Sequence, residues 1–168
     1  EFSPIRWSDI TPKKFLKQLD DFLAELPSGF QFTVEVRNAE LLTAEYVEIL
    51  QRHGVAHVLN SWTAMPPIDE QLEREQIMTA DFAVVRALLK PGRNYEEAVK
   101  LFRPYQKTRE ILPEVRKTME GLAVRYLQSG KTIYFFVNNR LEGNAPFTIA
   151  AVVDGIETHV TVNPDMVH

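Results

Sequence analysis

The strongest constraint on this fold is the repeated alternation of short apolar runs and amphipathic helical patterns along the chain. The runs are rich in β-branched and aromatic residues, and they cover positions 32–37, 55–59, 82–88 and 131–137. Apolar strands that alternate with helices are typical of a parallel sheet covered by helices. The sequence therefore predicts an α/β fold.

Local capping signals define where several helices begin and end. Thr11 and Thr43 each precede a helical pattern and are suited to accept hydrogen bonds from the first turn. Asn94 followed by Glu97 fits a capping box at the start of a longer helical region. Gly54 is the expected C-terminal residue of the second helix.

The second half of the chain contains two prolines that interrupt helical periodicity. Pro104 and Pro113 are expected to divide the region after Asn94 into separate helices, because proline removes a helical hydrogen bond. A final helix is predicted over 145–153, and a short tail strand is predicted over 159–162.

Two opposite charges in the first apolar run suggest a barrel rather than an open sheet. Glu35 and Arg37 alternate with Val34 and Val36, so both charges share one face of the strand. Valines then face the helices, and the charges face the interior. Charged groups on interior strand faces are usual near the C-terminal mouth of a βα barrel.

Four segments together resemble the DUF72 (YecE-like) family. They are VEVRN at 34–38, QRHGVA at 51–56 leading to Asn60 and Ser61, TADFAVVR at 79–86, and YFFVNNRLEGNAP at 134–146. The resemblance implies a TIM-like barrel. The family's opening strands, with a Gly-Thr-Ser-Gly-Trp type of motif, have no counterpart here.

By this resemblance, the chain is expected to supply five parallel βα units, strands four to eight of the barrel. Residues 1–4 would end the fourth strand, and residues 1–168 would form a single, N-terminally truncated α/β domain. Two positions depart from the family pattern. Asn60 stands where many relatives carry Asp, and segment 88–90 lacks the His that follows the Arg86 strand in others.

Polar residues at the predicted C-terminal ends of the strands form the candidate site. The expected ligand-binding residues are Arg37, Asn60, Ser61, Arg86, Asn138, Asn139 and Asn144. Glu35 is the candidate general base, and the arginines are suited to bind carboxylate or phosphate. The alternative is a buried Glu35–Arg37–Arg86 network that only neutralises charge inside the fold.

Other polar and aromatic positions have ordinary structural explanations as well. The turn at 143–146 leaves a helix start that is suited to bind an anion, or that Asn144 simply caps. Trp62 either lines the mouth or packs its loop. His57 is expected to be a packed histidine, and the five basic residues from Arg103 to Lys117 are interpreted as a solvated helix face.

Composition narrows the function classes. The chain has no cysteine, which excludes disulfides, thiolate zinc sites and a cysteine nucleophile. The four histidines are scattered, so no metal site is predicted, and the sequence does not identify a cofactor. A net charge of −4 disfavours nucleic acid as a partner. No run is long enough for a membrane span and no signal peptide is evident, so a cytoplasmic protein is expected.

Two functions from different classes remain open at this point. One is a barrel enzyme, of hydrolase or lyase type, that acts on a small anionic or phosphorylated molecule. The other is a non-catalytic module that binds nucleic acid or a protein partner. Five units cannot close an eight-stranded barrel, so self-association of this chain is expected.

Overall fold

A computed structural model describes residues 1–162 of the chain. In order, its elements are α1 (Pro12–Ala24), β1 (Thr33–Val34), a 3-10 helix (Ala39–Leu41), α2 (Ala44–Arg52), β2 (Ala56–Asn60), α3 (Ile68–Leu72), β3 (Phe82–Ala87), α4 (Tyr95–Phe102), α5 (Pro113–Gln128), β4 (Thr132–Val137), α6 (Asn139–Glu142) and α7 (Ala145–Val162). No helix within these residues is both long and apolar enough to cross a membrane.

The predicted caps are confirmed. The Thr11 side chain accepts a hydrogen bond from the backbone N–H of Lys14, and Thr43 accepts one from Tyr46, both at 3.3 Å. Asn94 and Glu97 form the complete capping box at the start of α4. α4 ends at Phe102, and α5 begins at Pro113, so the region after Asn94 is divided into separate helices, as predicted.

The four strands form one parallel sheet in the order β1-β2-β3-β4. The register places Asn60 beside Arg86, and Arg86 beside Phe136. Residues 1–162 therefore contain four strands instead of the expected five. Segment 1–5 lies beside β1, but it contributes one backbone hydrogen bond, from Phe2 N–H to the carbonyl of Glu35 at 2.9 Å. A single bond does not make a strand ladder.

Alternation along the strands separates two faces of the sheet. Val34 and Val36 are buried in the main core with apolar residues of α1 and α2, as predicted. The opposite face carries Ala56, Val58, Phe82 and Val84, which pack on one another, and it continues to the aromatic side chains of β4. Of these aromatics, Phe136 is 56% exposed and Tyr134 is 43% exposed. Helices cover one side of the sheet, whereas the opposite, inner face is exposed to solvent at β4.

Three predictions about the chain need correction. The expected strand at 159–162 is wrong, because α7 continues through this segment and packs against α5. The first strand was predicted over 32–37, but only Thr33–Val34 pair as β1. Arg116 was assigned to a solvated helix face. It instead forms an ion pair with the buried carboxylate of Glu142 at 2.6 Å.

Candidate functional site

Four charged side chains meet at the C-terminal end of β1 and β3. Arg86 Nη1 contacts Oε2 of Glu35 and lies 2.5 Å from Oε2 of Glu1. Arg37 Nη2 lies 2.6 Å from Oε1 of Glu1. The structure therefore joins the predicted residues Glu35, Arg37 and Arg86 in one cluster with Glu1, and we call these four residues the charged cluster.

Burial differs sharply within the charged cluster. The Glu35 side chain is 3% exposed, whereas those of Arg37, Arg86 and Glu1 are 14%, 30% and 42% exposed. The hydrogen bond from Arg86 lowers the pKa of Glu1, against the effect of partial burial. Burial tends to lower the pKa of Arg86, but the bonds to Glu35 and Glu1 raise it overall. Glu1 and Arg86 thus carry full charges near neutral pH.

The charged cluster leaves two buried polar atoms without hydrogen bonds among residues 1–162. These are Oε1 of Glu35 and Nε of Arg37, which face each other at 3.6 Å, beyond ordinary hydrogen-bonding distance. The guanidinium of Arg37 also lies over the ring of Trp62, 4.0 Å from its centroid. Trp62 also packs against two apolar clusters, so contact with the predicted residue Arg37 and packing of the loop occur together.

Asn60 and Ser61 are buried at the same end of the sheet, but their side chains bind the backbone. The amide nitrogen of Asn60 donates to the carbonyl of Val36 at 3.0 Å, and its oxygen accepts from Trp62 N–H at 3.1 Å. Ser61 Oγ accepts a hydrogen bond from Leu88 N–H at 2.8 Å. These residues hold the loops in place around the charged cluster.

The three other predicted asparagines make hydrogen bonds at helix starts. Asn138 Oδ1 accepts from the N–H of Arg140 at 3.0 Å at the start of α6. At the start of α7, Asn139 Oδ1 accepts from Ala145 N–H at 2.8 Å, and Asn144 Oδ1 accepts from Phe147 N–H at 3.0 Å. Of the two interpretations of this turn, the structure shows the helix cap.

Comparisons with known proteins bear on this arrangement. A family model described as "Protein of unknown function DUF72" matches residues 7–166. The chain belongs to the DUF72 family. A crystal structure of a DUF72 family protein from Thermotoga maritima superposes with a TM-score of 0.61 at 22% identity, covering 86% of this chain and 52% of that one. The chain thus spans about half the length of that protein, and the likeness concerns the fold. No curated protein matches the chain.

A second buried carboxylate of this DUF72 chain was missed by sequence reasoning. Glu142, at the end of α6, is 1% exposed and receives hydrogen bonds from Leu112 N–H, the Arg116 guanidinium and the Thr148 hydroxyl, at 2.6–3.1 Å. Gly143 follows with φ of +112°, and a Cβ there would lie 2.7 Å from the Lys107 carbonyl. Glu142 belongs to the YFFVNNRLEGNAP segment, but nothing in that segment identifies Arg116 as its partner.

The histidines within residues 1–162 lie away from the charged cluster. His57 is buried on the helix-facing side, with Nδ1 2.9 Å from the Tyr46 hydroxyl, and Nε2 has no hydrogen-bond partner among the described residues. Burial lowers the pKa of His57 to about 4, although the Gln71 side chain opposes this shift. The packed histidine is confirmed. Within residues 1–162, no group of three or more His, Asp or Glu side chains is arranged to hold a metal ion.

A cavity of about 310 Å³ also lies at the strand ends, but it does not include the charged cluster. Its wall is mostly apolar and includes Ile68, Leu112 and Val115, with Lys90 among its lining residues. Lys90 Nζ is itself held 2.6 Å from Oε1 of Glu110, which also pairs with Arg93. The predicted residue Ser61 and the carboxylates of Asp69 and Glu114 also line the cavity, and Arg93 Nη1 and Glu110 Oε2 are buried without hydrogen bonds in the described part of the chain. The charged cluster differs in that it joins three of the predicted site residues, Glu35, Arg37 and Arg86.

Proposed function

We propose that this chain binds a small anionic ligand through the charged cluster, at the mouth of a βα barrel. The observation that carries the proposal is the environment of Glu35. A carboxylate that is 3% exposed, with one oxygen lacking a hydrogen bond, lies between two arginines, one just after β1 and the other near the end of β3 in the same parallel sheet. Buried polar atoms are nearly always paired, so an exception at a strand end supports a ligand-binding role.

The barrel itself is part of the proposal. The consecutive parallel order of β1 to β4 is the order that a βα barrel uses, and it contains no reversal point of a doubly wound sheet. The exposed aromatic side chains of Tyr134 and Phe136 lie where further strands would cover them. In isolation, the chain is therefore expected to self-associate through this face, as a solution mass above that of the monomer in light scattering would show.

Arg86 and Arg37 suit the role of anion donors. Guanidinium groups offer several N–H donors in a fixed plane, and Arg86 has one nitrogen committed to Glu35 and Glu1 while its side chain remains 30% exposed. If the protein is an enzyme of hydrolase or lyase type, Glu35 is the group placed to accept a proton from a ligand held by these arginines. Ligand binding does not depend on that catalytic step.

The proposal is tested by titrating acetate and inorganic phosphate while following amide and guanidinium NMR signals. Arg86→Ala is expected to keep the fold and weaken binding at least about tenfold, because a charge-assisted hydrogen bond contributes roughly 1.5–3 kcal/mol. Arg125→Ala, in the last turn of α5 at the opposite end of the sheet, is the matched control. Equal affinities for all three proteins would contradict the proposal.

The alternative of a nucleic-acid module predicts a different response to salt. Binding that neutralises several phosphates falls steeply with ionic strength. A shallow salt dependence with a one-to-one small anion favours the pocket proposed here. The net charge of −4 and the pairing of Arg37 and Arg86 with carboxylates also favour it.

A further inference from the structure

The carboxylate of Glu1 is held by two different arginines. Its Oε1 lies 2.6 Å from Arg37 Nη2, and its Oε2 lies 2.5 Å from Arg86 Nη1. Each oxygen thus has its own guanidinium donor, which is how a protein clamps a bound carboxylate. Glu1 is also the most exposed member of the charged cluster, at 42%, so it can leave without opening the core.

We infer that the Glu1 side chain occupies the place of the ligand's carboxylate, and that the ligand is a monoanionic 2-hydroxycarboxylate that displaces it. This inference rests on the function proposed above and names its ligand class. Charge balance, the unpaired oxygen of Glu35 and the spacing of the two carboxylates support it independently.

Charge balance favours a monoanion. Two guanidinium groups and two carboxylates make the charged cluster neutral while Glu1 is in place. When Glu1 leaves, the remaining residues carry one net positive charge, which a single carboxylate neutralises. A dianionic phosphate adds a second negative charge beside the buried carboxylate of Glu35, where low solvent exposure makes like-charge repulsion costly.

The unpaired oxygen of Glu35 favours a ligand with a donor group. Oε1 of Glu35 is an ionisable acceptor with no hydrogen bond and almost no solvent contact. A carboxylate oxygen can only accept, so the ligand must supply a hydroxyl or an N–H. An ammonium group would make the ligand a zwitterion and leave the net positive charge of the arginines unbalanced. A hydroxyl satisfies both conditions.

Spacing places that hydroxyl next to the ligand's carboxylate. Glu35 and Glu1 both contact the same nitrogen, Nη1 of Arg86. The two carboxylates therefore share one contact atom. A hydroxyl on the carbon beside the ligand's carboxylate can reach Glu35. A hydroxyl on a more distant carbon of the ligand is not held near Glu35 by the position of that carboxylate.

The experiment uses the fluorescence of Trp62 as the readout. The chain has two tryptophans, so Trp7→Phe leaves Trp62, which stacks on Arg37, as the sole reporter. Lactate, propionate and inorganic phosphate are titrated into this protein with Glu1 intact, with Glu1→Gln, and with Glu25→Gln. Glu25 is an exposed carboxylate at the end of α1 and serves as the matched control.

Lactate is expected to bind at least about fivefold more tightly than propionate or phosphate. Glu1→Gln should tighten lactate binding by about tenfold, because the Glu1 carboxylate competes with the ligand and occupies its site in most molecules. Glu25→Gln should have no effect. Binding of anions with no change in Glu1→Gln, or with phosphate preferred, overturns the inference and leaves the proposed function intact. If no anion binds to any variant, including acetate in the NMR titration, the proposed function fails as well.

Discussion

Glu35 and Glu142 are both buried carboxylates that pair with an arginine, but their hydrogen bonding differs. Glu142 accepts from a backbone N–H, a guanidinium and a hydroxyl, and both of its oxygens are used. Glu35 accepts a hydrogen bond through one oxygen, and the other accepts none and lies 3.6 Å from Arg37 Nε. A buried carboxylate whose two oxygens both accept hydrogen bonds within the protein is accounted for by its role in the fold. Glu35 has one oxygen that accepts no hydrogen bond, which is a property expected of a ligand-binding group.

The largest effect that this comparison predicts is on Glu142→Gln. The amide replaces one acceptor oxygen by a donor, so either Leu112 N–H or the Arg116 guanidinium faces another donor inside the protein. Together with the uncompensated charge of Arg116, this should lower the free energy of unfolding by about 3 kcal/mol or more. Urea denaturation measures the loss. Glu114→Gln, which changes an exposed carboxylate in α5, the helix that carries Arg116, is the control and should change little.

If Glu142→Gln were as stable as the parent, the satisfied network would not be what holds α5, α6 and α7 together. The assignment of Glu142 to structure would then be wrong, and the contrast with Glu35 would lose its basis.

His57 tests whether an unpaired buried atom is by itself a sign of a ligand. Its Nε2 also lacks a partner, but the ring is neutral, bonds Tyr46 through Nδ1 and lies in the packed helix-facing layer. Its pKa is lowered from 6.5 to about 4 in the folded protein. The unfolded chain therefore binds the proton first as pH falls, and stability is lost between pH 6.5 and pH 4.

The expected loss from His57 is about 3 kcal/mol between pH 7.5 and pH 4. Carboxylates also contribute to acid unfolding, so the useful quantity is the difference between the parent and His57→Gln in urea denaturation at both pH values. The variant should show the smaller loss. Identical losses would mean that His57 titrates normally and that its Nε2 reaches solvent.

Sequence patterns predicted the elements of this fold better than the contacts of its site. Periodicity and capping residues such as Thr43 located helices and strands because these signals act within a few residues. The segment 159–162 was mistaken for a strand because Val160 and Thr161 are β-branched. β-branching lowers helix propensity only slightly, and packing of α7 on α5 outweighs it.

The candidate site divides in the same way. Alternation along one strand predicted that Glu35 and Arg37 share a face, which is a local property. The pairing of Arg37 and Arg86 with Glu1, and of Arg116 with Glu142, depends on tertiary approach between distant segments. No spacing in the sequence encodes such contacts. The hydrogen bonds of the Asn60 side chain to the backbone could not be predicted from the residue type either, because an amide can bind backbone groups and ligands equally well.

The smallest predicted change in stability is that of Glu35→Gln. Its amide oxygen can still accept from Arg86, and its nitrogen takes the position of Oε1, which accepts no hydrogen bond and lies 3.6 Å from Arg37 Nε. Both arginines keep Glu1 as a counter-charge and contact water. The free energy of unfolding should therefore change by less than about 1 kcal/mol, against about 3 for the same substitution at Glu142. Urea denaturation of the two variants side by side makes the comparison direct. A large loss at Glu35 would identify the charged cluster as a structural network and favour charge neutralisation over ligand binding.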